Sequence, residues 1–290
     1  MRVLRTIPGI RTALRPARRA DRAIGLVPTM GALHEGHLSL LRAAREETHE
    51  VVASLFVNPS QFDDADDLAA YPRDEDRDVE LAREAGVDIL FVPPPRLIYP
   101  PGFSTQVRVE GPLTETLEGA HRGSEHFHGV TTIVTKLVNI VQPDVAFFGQ
   151  KDAQQALVIR KLVRDLDIDV RIEICPTVRE PDGLALSSRN ARLRGDDRKR
   201  ALALRRALDV AQEAAANGER DADAIAHLAR VEMEQLQVEP EYLALVNPED
   251  LAPVHVVRGD ALAVVAARVG EVRLIDNTVI NVDAKVGTLE

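Results

Sequence analysis

An α/β fold, with a parallel sheet carrying helices on both faces and a smaller α+β domain after it, is predicted by three observations. Up to Cys175, short apolar runs alternate with amphipathic ones. Each apolar run stops at a turn residue and hands over to a polar motif, as at the carboxyl ends of parallel strands. Beyond Thr177 the pattern changes to long helices rich in Ala, Arg and Glu, followed by shorter strands.

Taken in order, Ile24 to Val27 is an apolar strand closed by Pro28, and Leu38 to Ala44 is amphipathic with helical spacing. Val51 to Val57 is a buried strand stopped by Asn58-Pro59. Asp74 to Ala85 has helical spacing with dense charge. Val87 to Val92 is a strand ended by Pro93-Pro94-Pro95. Gly129 to Val141 reads as a buried helix, Val145 to Phe148 as a strand, Gln154 to Leu166 as a helix and Val170 to Ile174 as a strand. Such alternation implies right-handed crossovers. Arg198 to Asn217 and Asp221 to Gln237 are then long helices. Tyr242 to Val246, Ala261 to Ala266 and Val272 to Ile275 are strands. The expected domains are 1–177 and 178–290, joined without a Gly/Ser linker through 176–190.

A chain of 290 residues suits two domains, and 45% apolar with 28% charged residues is ordinary globular composition. The single cysteine, Cys175, excludes an internal disulfide and a multi-cysteine metal site, and suits a reducing cytoplasm. No apolar run approaches the ~20 residues of a membrane span. The Arg-rich N-terminus lacks the apolar core of a signal peptide. A net charge of −10 argues against nucleic acid as a partner. Lysines are rare (Lys136, Lys151, Lys161, Lys199 and Lys285), so one inside a motif stands out.

The run Met30-Gly31-Ala32-Leu33-His34-Glu35-Gly36-His37 carries the most information. It reads as strand, Gly-rich turn, helix. At such a junction backbone amides approach an anion closely, and the helix start offers unpaired N–H groups with partial positive charge. His34 and His37 share one helix face and can donate to a phosphoryl oxygen as charge develops. A Walker A loop would need Lys-Ser/Thr where His37-Leu38 stands, and a zinc helix of the H-E-x-x-H type needs its histidines four apart rather than three. The competing reading is a helix cap with two solvated histidines.

The other motifs are less specific. Asn58-Pro59-Ser60-Gln61-Phe62 puts an amide pair at a strand end, suited to a small polar substrate, although Asn-Pro is also common turn chemistry. Gly149-Gln150-Lys151-Asp152 opens a helix: Gly149 permits close approach, Lys151 offers a compact charge for phosphate, and Asp152 could meet a metal, a ribose hydroxyl or the helix start. Gln155 lies three positions after Asp152. Ser187-Ser188-Arg189-Asn190 suits β- and γ-phosphates, or is a flexible loop. His126-Phe127-His128-Gly129 reads as a structural turn before a helix. The acidic run 63–67 lacks EF-hand spacing and reads as a solvated, mobile loop, whereas Asp74, Asp76 and Asp78 sit at a helix start, where carboxylates are favoured.

Together these segments resemble the pantoate–β-alanine ligase (pantothenate synthetase) family. The resemblance rests on PTMGALHEGH at 28–37, FVNPSQF at 56–62, HFHGV at 126–130, VQPDVAFFGQKDAQQ at 141–155 and PTVREPDGLALSSRN at 176–190. Beyond about residue 195 the likeness is looser, although Leu274-Ile275-Asp276-Asn277 fits the family's usual ending. What the resemblance implies is a Rossmann-like catalytic domain with a HIGH-type motif and a second domain closing over the site. The implied reaction joins (R)-pantoate to β-alanine through a pantoyl adenylate, with ATP as substrate, Mg²⁺ accompanying it, and a cytoplasmic homodimer as the working form. It assigns Met30 to His37, Gly149 to Asp152, Val178 and Leu186 to Arg189 (Leu186, Ser187, Ser188, Arg189) to ATP. His34, His37 and Lys151 become catalytic, with His37 the proton donor. Gln61 and Gln155 bind pantoate, and Gln61 also lies by β-alanine. The chain departs from the family at Gln150, where Glu is usual, so Gln150 receives no charged role, and no metal ligand is assigned. The rivals are a transferase that stops after nucleotide transfer and a non-catalytic nucleotide-binding protein. A tRNA synthetase is disfavoured by the acidic charge and by the lack of an anticodon-binding extension.

Overall fold

The computed structural model describes residues 1–62 and 65–282, so Asp63, Asp64 and Lys285 lie outside the described residues. The chain forms two compact units, Met1–Gln150 with Gln154–Pro176, and Lys151–Ala153 with Thr177–Glu290.

In the first unit the chain runs β1 (Arg2–Leu4), α1 (Ile7–Arg19), β2 (Ile24–Thr29), α2 (Glu35–Glu47), β3 (Glu50–Leu55), α3 (Ala65–Ala70), α4 (Glu75–Glu84) and β4 (Ile89–Phe91). Then come α5 (Pro95–Ile98), α6 (Pro112–Glu115), α7 (Glu118–Arg122), α8 (Ser124–Val141), β5 (Val145–Gly149), α9 (Ala153–Asp165) and β6 (Arg171–Cys175). All six strands are parallel, in the order β1-β4-β3-β2-β5-β6. The chain winds outward from β2 and then crosses back to β5, so the strand order reverses between these two neighbours. Ligands of such sheets bind outside the carboxyl ends at that reversal.

Alternation along β2 builds two cores. Ile24 and Leu26 join Ile10 and Leu14 of α1, Val130 and Val134 of α8 and Ile159 of α9. Val27 faces the other way, onto Leu41 and Ala44 of α2 and Ala82 of α4. Helices therefore cover both faces, which is why the strands are apolar throughout. Each fully buried Leu, Ile or Phe contributes about 1.5–3 kcal/mol.

Several elements differ from expectation. The helix α1 was not legible, because Pro8 and Gly9 lie in its first turn and Pro16 in its interior. Pro8 needs no N–H partner there, and Thr6 caps the start by accepting from the Gly9 N–H at 3.2 Å. The helix α8 begins at Ser124, so His126 to Gly129 lie within it rather than in a turn before it. Residues 65–70, which take in the end of the acidic run, form α3 rather than a loop. The expected helix from Arg198 is broken at Ala201.

The second unit holds α10 (Asp196–Arg200), α11 (Leu202–Ala216) and α12 (Ala222–Gln235) beside an antiparallel sheet, β7 (Pro240–Val246), β8 (Ala261–Val269) and β9 (Val272–Ile280). Ala203, Ala207 and Ala211 with Ala222 and Ala229 let α11 and α12 approach closely over Val265 and Leu245. Arg179 forks onto the buried carboxylate of Asp276 at 2.6 and 3.0 Å. Arg179→Lys keeps the charge but loses the fork. We expect it to lower stability by about 1.5 kcal/mol in urea unfolding. Among the described residues no helix is long and apolar enough to cross a membrane.

Candidate active site

The turn after β2 is held from three sides. The Thr29 hydroxyl donates to the Ser54 carbonyl at 2.7 Å and accepts from the Gly31 N–H at 3.3 Å. Gly31 has φ +88° and Ala32 φ +50°, so two successive residues are left-handed. A Cβ on Gly31 would stand 2.8 Å from Leu55 and 2.9 Å from Asp78, which explains a glycine there. Asp78, 2% exposed on α4, accepts from the N–H groups of Ala32 at 2.9 Å and Leu33 at 2.7 Å.

His34 caps α2. Its Nδ1 accepts from the Gly36 N–H at 3.1 Å, while the His37 Nδ1 accepts from the His34 N–H at 3.4 Å. The ring centroids lie 4.2 Å apart. This is an imidazole version of the reciprocal capping box. A ring nitrogen that accepts carries no proton, so each neutral ring holds its hydrogen on Nε2. Both histidines are thus set as Nε2–H donors.

One expectation is corrected here. The turn amides were expected to meet an anion directly. Those of Gly31, Ala32, Leu33, His34 and Gly36 already donate to Thr29, Asp78, Asp78, His37 and His34. The Asp78 carboxylate of α4 and the two imidazoles accept from four of these amides within the chain. Glu35 pairs with Arg42 on the exposed side of α2.

Gln61 sits in a short 3₁₀ turn after β3. Asn58, buried, decides how its amide points. The Gly129 carbonyl can only accept, and it lies 3.1 Å from the Asn58 Nδ2. The Asn58 Oδ1 accordingly accepts from the Tyr99 hydroxyl at 2.8 Å and from the Ser60 hydroxyl at 2.8 Å. The second Nδ2 hydrogen goes to the Gln61 Oε1 at 2.9 Å. Gln61 is left with its NH₂ directed away from Asn58, 3.2 Å from the Met30 sulfur. His126 holds the same turn from α8, its Nδ1 2.8 Å from the Gln61 carbonyl. The structure therefore joins Met30 to Gln61, and makes Asn58, Tyr99 and His126 its supports.

Gly149 ends β5, beside β2, and Gln150 opens a 3₁₀ turn. Gln155 is half-buried on α9. Its neighbour Gln154 is a buried structural amide, donating to the carbonyls of Leu113 and Thr116 at 2.9 Å and accepting from the Glu118 N–H at 3.0 Å.

The remaining predicted residues belong to the second unit. Asn277 donates to the Lys151 carbonyl at 3.0 Å, and the Lys151 ammonium lies 3.6 Å from the half-exposed Asp152 carboxylate. Val178 accepts from the Leu186 N–H at 3.0 Å, and Arg179 bridges Ala185, so 178–186 is a small hairpin turning at Gly183, φ +96°. Ser187 caps the following turn by accepting from the Arg189 N–H at 3.2 Å. Asn190 ties that turn back to Glu180 and Ala185 at 2.9 and 3.0 Å. Ser187 to Asn190 thus lie at a short 3₁₀ turn that follows the hairpin.

The supports that sequence reasoning missed are Asp78, Tyr99 and Gly129, whose partners are distant in the chain. The advance signals were the acidic cluster at the start of α4 for Asp78 and the HFHGV segment for Gly129.

Comparison with known proteins agrees with the geometry. The family model described as pantoate-β-alanine ligase matches residues 2–279. A pantothenate synthetase of Moorella thermoacetica is 50% identical over 287 residues, covering 98% of this chain and all of that protein. The crystal structure of pantothenate synthetase from Thermus thermophilus is 47% identical, with a TM-score of 0.90 over 96% of this chain and 99% of that one. A pantoate-β-alanine ligase structure from Francisella tularensis, complexed with β-γ ATP and β-alanine, is 33% identical, with a TM-score of 0.77 over 96% of this chain and 97% of that one. With a parallel sheet reversing at β2 and β5, paired imidazole donors at that reversal and matches along nearly its whole length, this chain belongs to the pantoate–β-alanine ligase family.

Proposed function

We infer that this protein joins (R)-pantoate to β-alanine with ATP, giving pantothenate, AMP and pyrophosphate. The observation that carries the reading is the reciprocally capped His34–His37 pair, two fixed Nε2–H donors at the strand reversal.

In the first step a pantoate carboxylate oxygen attacks the α-phosphorus of ATP. The bond from that phosphorus to the bridging oxygen breaks, and pyrophosphate leaves with the electron pair. Charge builds on phosphoryl oxygens, and rigid N–H donors stabilise it without rearranging. His34 and His37 serve this role, with His37 as proton donor. Lys151, Ser187, Ser188 and Arg189 neutralise the phosphates, while Val178, Gly149 and Asp152 hold the nucleoside. In the second step the β-alanine amine attacks the acyl carbon, loses a proton, and AMP departs. Gln61 turns its NH₂ toward pantoate oxygens, and Gln155 assists it. Among the described residues no three His, Cys, Asp or Glu side chains gather to hold a metal. Mg²⁺ accompanying ATP would offset charge on the phosphates, and Asp152, half exposed beside the Lys151 ammonium, is the carboxylate that would meet it. The reading includes a cytoplasmic homodimer, which sedimentation tests.

The deciding experiment measures AMP release from ATP and pantoate with and without β-alanine. Release that depends on the amine, with pantothenate formed, is expected; release indifferent to it points to a nucleotide transferase. His37→Gln is expected to bind ATP normally and to turn over at least tenfold more slowly, because its amide keeps a capping oxygen and an N–H but cannot act as the imidazole proton donor. Full activity in that variant removes His37 from the mechanism.

A further inference from the structure

We propose that Asp78 is a positioning residue of the nucleotide site: its carboxylate occupies the anion place of the 30–34 turn and so holds His34 at its cap. This rests on the reading above that His34 and His37 serve the triphosphate.

Two left-handed residues in succession, Gly31 and Ala32, aim the N–H groups of Ala32 and Leu33 at a common point. Successive amides that converge in this way form a nest, which ordinarily receives an anion. Here the anion belongs to the chain. Oδ2 takes the Ala32 amide and Oδ1 the Leu33 amide, one oxygen each. The space beneath Gly31 is closed by Asp78 and Leu55.

Asp78 is an unfavourable place for a charge. Burial pushes its carboxyl above the usual range; the amides of Leu33 and Ala32 pull it back, Asp74 raises it again and Arg77 lowers it. A group kept there against desolvation has work to do in the turn. Its work is geometric: the amides of residues 32 and 33 precede the His34 cap directly, so the carboxylate sets where both imidazoles begin. It also decides what a phosphate meets, which is Nε2–H groups rather than turn amides.

The test is Asp78→Asn, which preserves shape, removes the charge and sets an NH₂ against one turn amide. With folding checked by circular dichroism, kcat for adenylate formation is expected to fall at least tenfold. Hydrogen exchange of the 31–34 amides, read without substrate, is expected to quicken at least tenfold. Asp74→Ala serves as control. It removes the cap of the same helix, where Asp74 accepts from the Arg77 N–H at 3.1 Å, without touching the turn. Both readouts should then stay within twofold of wild type. A smaller change in either readout for Asp78→Asn, or an equal change in Asp74→Ala, overturns the proposal. Should Asp78→Asn fail to fold, Asp78→Ser is held to the same limits. If the unaltered chain makes no pantothenate, the functional reading fails, and the exchange rates still decide whether Asp78 holds the turn.

Discussion

Lys151→Ala is expected to slow adenylate formation roughly a hundredfold while the melting temperature stays near that of the unaltered protein. The two halves of this result have separate causes. The Lys151 backbone is held by Asn277, through a bond to its carbonyl that alanine keeps. The ammonium itself lies 3.6 Å from Asp152, whose side chain is half exposed, and such a screened pair adds little to stability. On the proposed mechanism, what disappears is one positive charge directed at a triphosphate during bond breaking, a loss of about 3 kcal/mol. Single-turnover kinetics with ATP and pantoate measure it; turnover near the normal rate would show that Lys151 has no part in the reaction.

Gly129→Ala should damage both stability and pantoate use. A Cβ at this position would stand 2.2 Å from the Ser60 carbonyl oxygen and 2.5 Å from its carbon. Both are backbone atoms, so neither can swing aside. Helix α8 and the 58–61 turn must separate, at a cost of about 3 kcal/mol on the scale of overpacked interiors. Separation also draws the Gly129 carbonyl off the Asn58 amide, and with it the restraint on which end of the Gln61 amide faces outward. Urea unfolding should show the first effect, and a KM for pantoate raised more than that for ATP the second. A variant of unchanged stability would mean that the helix and the turn tolerate a methyl group between them.

What was legible in the chain is what local spacing controls. His34 and His37 stand one helical turn apart, and that interval alone puts them together at the start of α2. The apolar runs at β2, β3 and β5 are buried on both faces, so composition marks them without tertiary information. The supports were hidden because their partners lie far along the chain: Asp78 is 46 residues from Ala32, and Gly129 is 71 from Asn58. Gly129 also misled directly. A glycine inside a helical pattern reads as an end, yet it sits within α8 because close approach to Ser60 requires it. In α1 the two prolines and a glycine outweighed the apolar spacing of Ile10, Leu14 and Ala17. The destination of the turn amides was misread for another reason: a nest filled by its own chain and one that is vacant share the same glycine signature.

Arg179 and Asp276 are 97 positions apart, and their pairing imposes an order of events during synthesis. The guanidinium leaves the ribosome long before its carboxylate is translated. Until β9 arrives, the 178–186 hairpin has no buried anchor and β8 lacks its neighbour on that side. The carboxyl-terminal half must therefore wait in an immature state while the six-stranded half, whose strands are complete by Cys175, can already settle.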